Sequence, residues 1–135
     1  MDLKSLIADT KEIEIEYPNL KGFKVKVVYL SKDKLRKIGE KCKSIGFDSS
    51  TRQPIESMDD EMFQKMYIES ALTGWSGLKF EYLTHLMPID LDKLPEEGEL
   101  PYTVSNAVEI VSNSKEFDAW LTQVISDVSL FNKGS

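Results

Sequence analysis

At 135 residues the chain fits one domain with one hydrophobic core. Its 41% hydrophobic and 30% charged side chains exclude a disordered or membrane-embedded composition. The net charge of −6 is unevenly placed: residues 1–50 hold 11 basic and 8 acidic side chains, whereas residues 51–135 hold 6 basic and 15 acidic. An acidic body disfavours nonspecific nucleic-acid binding, which needs clustered Lys and Arg, and favours solubility or a basic partner. No apolar run has the length of a membrane span, and Asp2 and Lys4 around Leu3 interrupt any signal-peptide-like stretch. The single cysteine, Cys42, allows no internal disulfide and suits a reducing cytoplasm.

Residues 11–17 alternate charged and apolar side chains, so an extended strand places Ile13, Ile15 and Tyr17 on one face. Pro18 to Gly22 supplies turn residues, and Phe23, Val25, Val27 and Tyr29 resume the period of two, predicting a β-hairpin. Ser31 is placed to cap a helix with apolar positions Leu35, Ile38, Cys42 and Ile45 and a stop at Gly46. Its outer face carries Lys34, Arg36, Lys37, Lys41 and Lys43, which reads first as a solvated face. Asp48 to Pro54 and Asp92 to Gly98 read as linkers.

Ser57 with Asp60 three residues on predicts a capped helix running to about Thr73, where Phe63, Met66, Tyr67, Ser70 and Ala71 share a side and Gly74 ends it. Met62 and Met66 read as gap-filling core. Residues 79–94 carry two periods: Phe80, Tyr82 and Thr84 alternate as in a strand, while Leu83, Leu86 and Met87 keep helical spacing. Pro88 stops a helix there, and Pro95 to Gly98 forms an acidic turn. Thr103 caps a short helix with Val104, Ala107, Val108 and Val111, and Asn113-Ser114 interrupts it. From Lys115 onward, Phe117, Trp120, Leu121, Val124, Ile125, Val128 and Phe131 form one helical stripe.

The fold class that follows is α+β, a single domain over 1–135. An N-terminal β-hairpin region (1–30), with room for a third strand, packs on a mainly helical region (31–135) of about four helices.

Catalytic chemistry finds no foothold in these residues. His85 has no carboxylate or cysteine at ligand-like spacing, no phosphate-cradling glycine loop or nucleophile elbow occurs, and Ser31, Ser57 and Ser114 have cap roles. Asp59-Asp60-Glu61 and Glu96-Glu97 match no calcium loop and suit a helix start and a turn. No enzyme activity, cofactor or metal is therefore expected. Trp120 reads as core, while Trp75, flanked by glycines, is open between core and interface anchor. The expected exposed recognition surface comprises Trp75, Gly77, Leu78, Phe80, Tyr82, Leu83, Leu86 and Met87.

Three pieces recur in order over residues 57–131: W-x-G-L at Trp75 to Leu78, L-P-Y-T-x-x-N-A at Leu100 to Ala107, and S-x-E-F-D-x-W at Ser114 to Trp120. Their succession resembles the small tail assembly chaperones of long-tailed bacteriophages. That resemblance implies a protein that coats the tape-measure protein in the host cell cytoplasm, helps recruit tail-tube subunits, can self-associate, and leaves before the virion is complete. From the acidic composition and the absence of a long apolar run, no nucleic-acid or membrane partner is expected. The alternatives are a tail-completion or joining protein kept in the virion and, third, a small cytoplasmic enzyme.

Overall fold

The computed structural model describes residues 2–8, 11–47 and 49–132, so Asp48 of the first expected linker lies outside the described residues. The predicted hairpin forms from β1 (Glu12–Glu16) and β2 (Lys24–Val28), in antiparallel register with Ile13 opposite Val27 and Ile15 opposite Val25. Tyr17 N–H donates to the Phe23 carbonyl at 2.8 Å, and Asn19 and Gly22 take the positive φ angles that the tight return requires. The expected third strand is β5 (Leu72–Ser76), antiparallel to β2, with a bulge at Lys26/Val27.

Two rows of apolar side chains then cross the three strands on one face: Ile15, Val25 and Trp75, and Ile13, Val27 and Leu72. On the opposite face the register sets Glu14 against Lys26 and Glu16 against Lys24, and all four are exposed. Helices α2 (Asp60–Ala71), α3 (Val104–Asn113) and α4 (Lys115–Ile125) supply the cover for the apolar face. Tyr17 packs among Phe23, Phe117 and Trp120, with ring centroids 4.8–5.6 Å away, and so ties the hairpin end to α4. Burying these aromatic and aliphatic groups is what a two-stranded ribbon cannot achieve alone.

Several boundaries differ from expectation. Helix α1 (Lys32–Lys41) has the Ser31 cap, which accepts from Lys34 N–H at 3.2 Å, but ends at Cys42 rather than Gly46. Residues Lys43–Phe47 instead form β3, paired with β4 (Pro54–Met58) as a separate two-stranded sheet. Ile45, expected on the helix's buried side, is 72% exposed. The pairing satisfies the backbone as the helix would have done, and with β4 exposed throughout there was no alternating buried pattern to announce it.

Helix α2 is capped by Asp59, whose carboxylate accepts from Met62 N–H at 3.1 Å, and not by Ser57, whose hydroxyl pairs with Ser44 at 2.8 Å across the hairpin. It stops at Ala71 because residues 72–76 fill the open edge of β2, leaving Gly74 inside a strand. Residues 79–94 follow neither period: Phe80–His85 is a 3₁₀ helix leading into turns. The last stripe breaks at Ser126-Asp127, where Asp127 accepts from Ser129 and starts α5 (Val128–Asn132), leaving Val128 50% exposed. The α+β class, with the hairpin, a third strand and five α-helices, holds among the described residues.

Candidate partner interface

The segment expected to be an exposed recognition surface is a junction of the fold. Trp75, Leu78, Leu83 and Leu86 are buried, and Phe80, Tyr82 and Met87 are half-buried against the core. Gly77 sits at φ +72, and a Cβ there would lie 2.0 Å from the Gly22 carbonyl oxygen, so the hairpin turn and the end of β5 touch backbone to backbone. Only glycine fits that approach.

Around Trp75 the chain closes a local knot. Its indole Nε1–H donates to the Leu100 carbonyl at 2.9 Å, and its ring meets Tyr102 edge-on at 5.0 Å. The Tyr102 hydroxyl donates to the Leu72 carbonyl at 2.6 Å, and Leu100 N–H to the Leu78 carbonyl at 2.8 Å. Residues 98–102 thereby run beside the segment that follows β5 and help close that side of the sheet. Asn106 Nδ2 donates to the Pro101 carbonyl at 3.1 Å, and the buried Ser114 caps α4 by accepting from Phe117 N–H at 3.1 Å. The three pieces of the sequence motif are thus packing and capping groups, Trp75 included. None of the eight expected interface residues is classed as exposed.

A surface hollow lies elsewhere, along α2 and α3. These helices run antiparallel: Tyr102, just before α3, bonds Leu72 at the end of α2, and Gln64 Nε2 donates to Ser112 Oγ at 2.9 Å. Beside them opens a hollow of about 710 Å³, lined by Asp59, Glu61 and Glu109 together with Met62, Val104 and Val108. Lys65 is the one cation lining it among the described residues. Met62, expected as gap-filling core, is 43% exposed there. A second hollow of about 370 Å³ follows between the same helices, with Phe63, Tyr67 and Asp118 in its lining. Sequence reasoning passed over this region because acidic residues at a helix start and a lone methionine each have a local explanation. Only the antiparallel pairing of α2 with α3 brings them together.

The basic strip of α1 is partly neutralised on its own helix. Arg36 bonds Asp33 at 2.8 Å and Glu40 at 2.9 Å, Lys37 reaches Asp33 at 3.2 Å, and these guanidinium and ammonium groups hold the Asp33 carboxyl below its usual range. Such exposed pairs contribute little to stability. Burial pushes the Tyr17 phenol up to about 12, assisted by the Glu116 carboxylate beside it. Burial also raises Tyr67 and Tyr102. His85 is exposed at the rim of a small hollow with Tyr17 and Glu116. Among the described residues no three His, Cys, Asp or Glu side chains gather as a metal site, and no helix is long and apolar enough to cross a membrane. Compared with family models, curated proteins and solved structures, the chain finds no match.

Proposed function

We propose that this protein is a tail assembly chaperone of a long-tailed bacteriophage, acting without catalysis in the host cytoplasm. It would cover apolar helical segments of the tape-measure protein and help recruit tail-tube subunits. One observation carries the reading: the first two motif pieces meet in space, with the Trp75 indole donating to the Leu100 carbonyl and Leu100 N–H to the Leu78 carbonyl. That contact supports reading the two pieces as one pattern and not as scattered common residues. The side-chain oxygens of Ser31, Asp59, Thr103 and Ser114 are engaged as helix caps.

Co-expression with the tape-measure protein of its own phage tests the proposal. The expected result is a soluble complex holding several copies of this chain per client. An insoluble client, together with this protein at fixed stoichiometry in mature particles, would reject it in favour of a structural tail component.

A further inference from the structure

We infer that the hollow along α2 and α3 is a docking groove for an amphipathic helix with basic flanks, about three turns long. The inference deepens the chaperone reading and rests on it only for the source of the helix, an apolar-striped segment of a protein client.

Shape is the first argument. The 12 residues of α2 span about 18 Å; the lining takes Asp59 to Lys65 from its start and Val104 to Glu109 from the start of the antiparallel α3, which lies toward its other end, so a helix laid along the pair meets the hollow over about three turns. The hollow is an open trough, unlike the enclosed pocket that a small molecule needs to bury most of its surface. Part of its lining is apolar: Met62 is 43% exposed on α2, and Val104 and Val108 are half-buried on α3. Helix-in-groove recognition uses such a lining to receive side chains at i, i+3 or i+4, and i+7. An unbranched thioether adapts to whichever of these arrives.

Charge identifies the occupant. Asp59, Glu61 and Glu109 line the hollow against Lys65 alone among the described residues, and Asp118 adds an acidic group to the lining of the next hollow. Glu109 accepts from its neighbour Asn113, and Asp59 caps α2, whereas Glu61 makes no hydrogen bond or ion pair among the described residues. A carboxylate with no structural partner in the lining of a partly apolar trough selects lysine or arginine on the incoming helix and repels an acidic one.

The test uses the intact protein and a fluorescein-labelled amphipathic peptide with leucines at i, i+4 and i+7 and lysines flanking them. Fluorescence anisotropy should show binding that weakens as salt is raised. A scrambled peptide, and one with glutamates for the lysines, should bind at least about tenfold more weakly. Met62→Lys, and separately the Glu61→Lys/Glu109→Lys pair, should each weaken the lysine peptide by at least about tenfold with unchanged circular dichroism. Lys32→Glu, on α1, should leave binding as it is. Equal binding of the scrambled peptide, wild-type affinity in the groove variants, or absence of peptide binding would each overturn the inference. Co-expression separates it from the chaperone reading. If the groove variants solubilise the tape-measure protein as well as wild type does, the groove is refuted and the chaperone stands. If wild type binds the peptide but leaves that client insoluble and is found at fixed stoichiometry in mature particles, the chaperone reading fails and the groove stands.

Discussion

Replacing Trp75 by alanine is the perturbation that most sharply separates scaffold from recognition surface. The indole is 9% exposed, donates to the Leu100 carbonyl at 2.9 Å and stacks edge-on with Tyr102 at 5.0 Å. Truncating a buried aromatic side chain costs about 3–5 kcal/mol through lost transfer energy and the cavity left behind. The Leu100 carbonyl loses its donor as well, which adds about 1 kcal/mol if water does not replace it. Against a total stability of about 5–15 kcal/mol for a domain, such a loss removes a third or more of the margin. Trp120, by contrast, is half-buried and meets Tyr17 edge-on at 4.8 Å, so Trp120→Ala should cost less, about 2 kcal/mol. This reverses the ranking that the helical stripe alone suggests.

Urea unfolding followed by far-ultraviolet circular dichroism gives both values, with a constant m confirming that the folded and unfolded states are unchanged in kind. Trp75→Phe divides the loss: it keeps most of the buried ring and removes the N–H, so it should cost about 1–2 kcal/mol. If Trp75→Ala stays within about 1 kcal/mol of wild type, the indole is not core and the reasoning fails. Weakened client binding in that same variant would restore the exposed-surface expectation.

Gly77→Ala should destabilise by well over 1 kcal/mol, because its Cβ meets the Gly22 carbonyl and its φ is positive, whereas Gly46→Ala, in open space, should stay within about 0.5 kcal/mol; thermal melts of both decide it. Asp59→Ala should cost about 1 kcal/mol as the true cap of α2 while Ser57→Ala costs little, and equal losses in urea titrations would contradict the observed cap. Hydrogen exchange should find the amides of β1 and β2 protected like those of α4, and those of β3 and β4 open, since that hairpin is exposed along β4. Raising the Tyr17 phenol from 10.0 to about 12 means that the folded state keeps its proton longer. Its stabilising contribution is then full below about pH 10 and lost as pH rises through about 12. Denaturant midpoints across that range, with Glu116→Gln showing a smaller loss, check the sign.

What the sequence revealed followed where burial was one-sided. The alternation of Ile13, Ile15 and Tyr17 against Phe23, Val25 and Val27 announced the first hairpin because every second side chain enters the core. The caps at Ser31, Thr103 and Ser114 were legible because a short hydroxyl before a helix has one dominant role. The hairpin β3–β4 was hidden for the opposite reason, since β4 is exposed throughout and imposes no pattern on its side chains. Leu72 and Thr73 were taken into the preceding helix, with Gly74 as its stop, because local propensity does not register the vacant edge of β2, a strand about 45 residues away. The groove was illegible altogether, as α2 and α3 meet only through tertiary packing across the intervening strand and turns.

Burial of the motif changes where evidence about function should be sought. Trp75, Leu78, Tyr102 and Phe117 are accounted for by packing, capping and edge closure, so any protein with this fold would need groups like them whatever its partner. Residues that inform on the partner are those exposed without a structural duty. Exposed apolar side chains such as Leu91, at 70%, are ordinary when scattered singly, but Met62 lines one hollow with Val104 and Val108. Glu61 lines the same hollow with no hydrogen-bond or ion-pair partner among the described residues, and its replacement should change stability by no more than about 0.5–1 kcal/mol, the worth of an acidic group in a first helical turn. A large loss of binding at Glu61 therefore cannot be traced to unfolding, whereas the same loss at Trp75 can, and only the former reports on what the protein recognises.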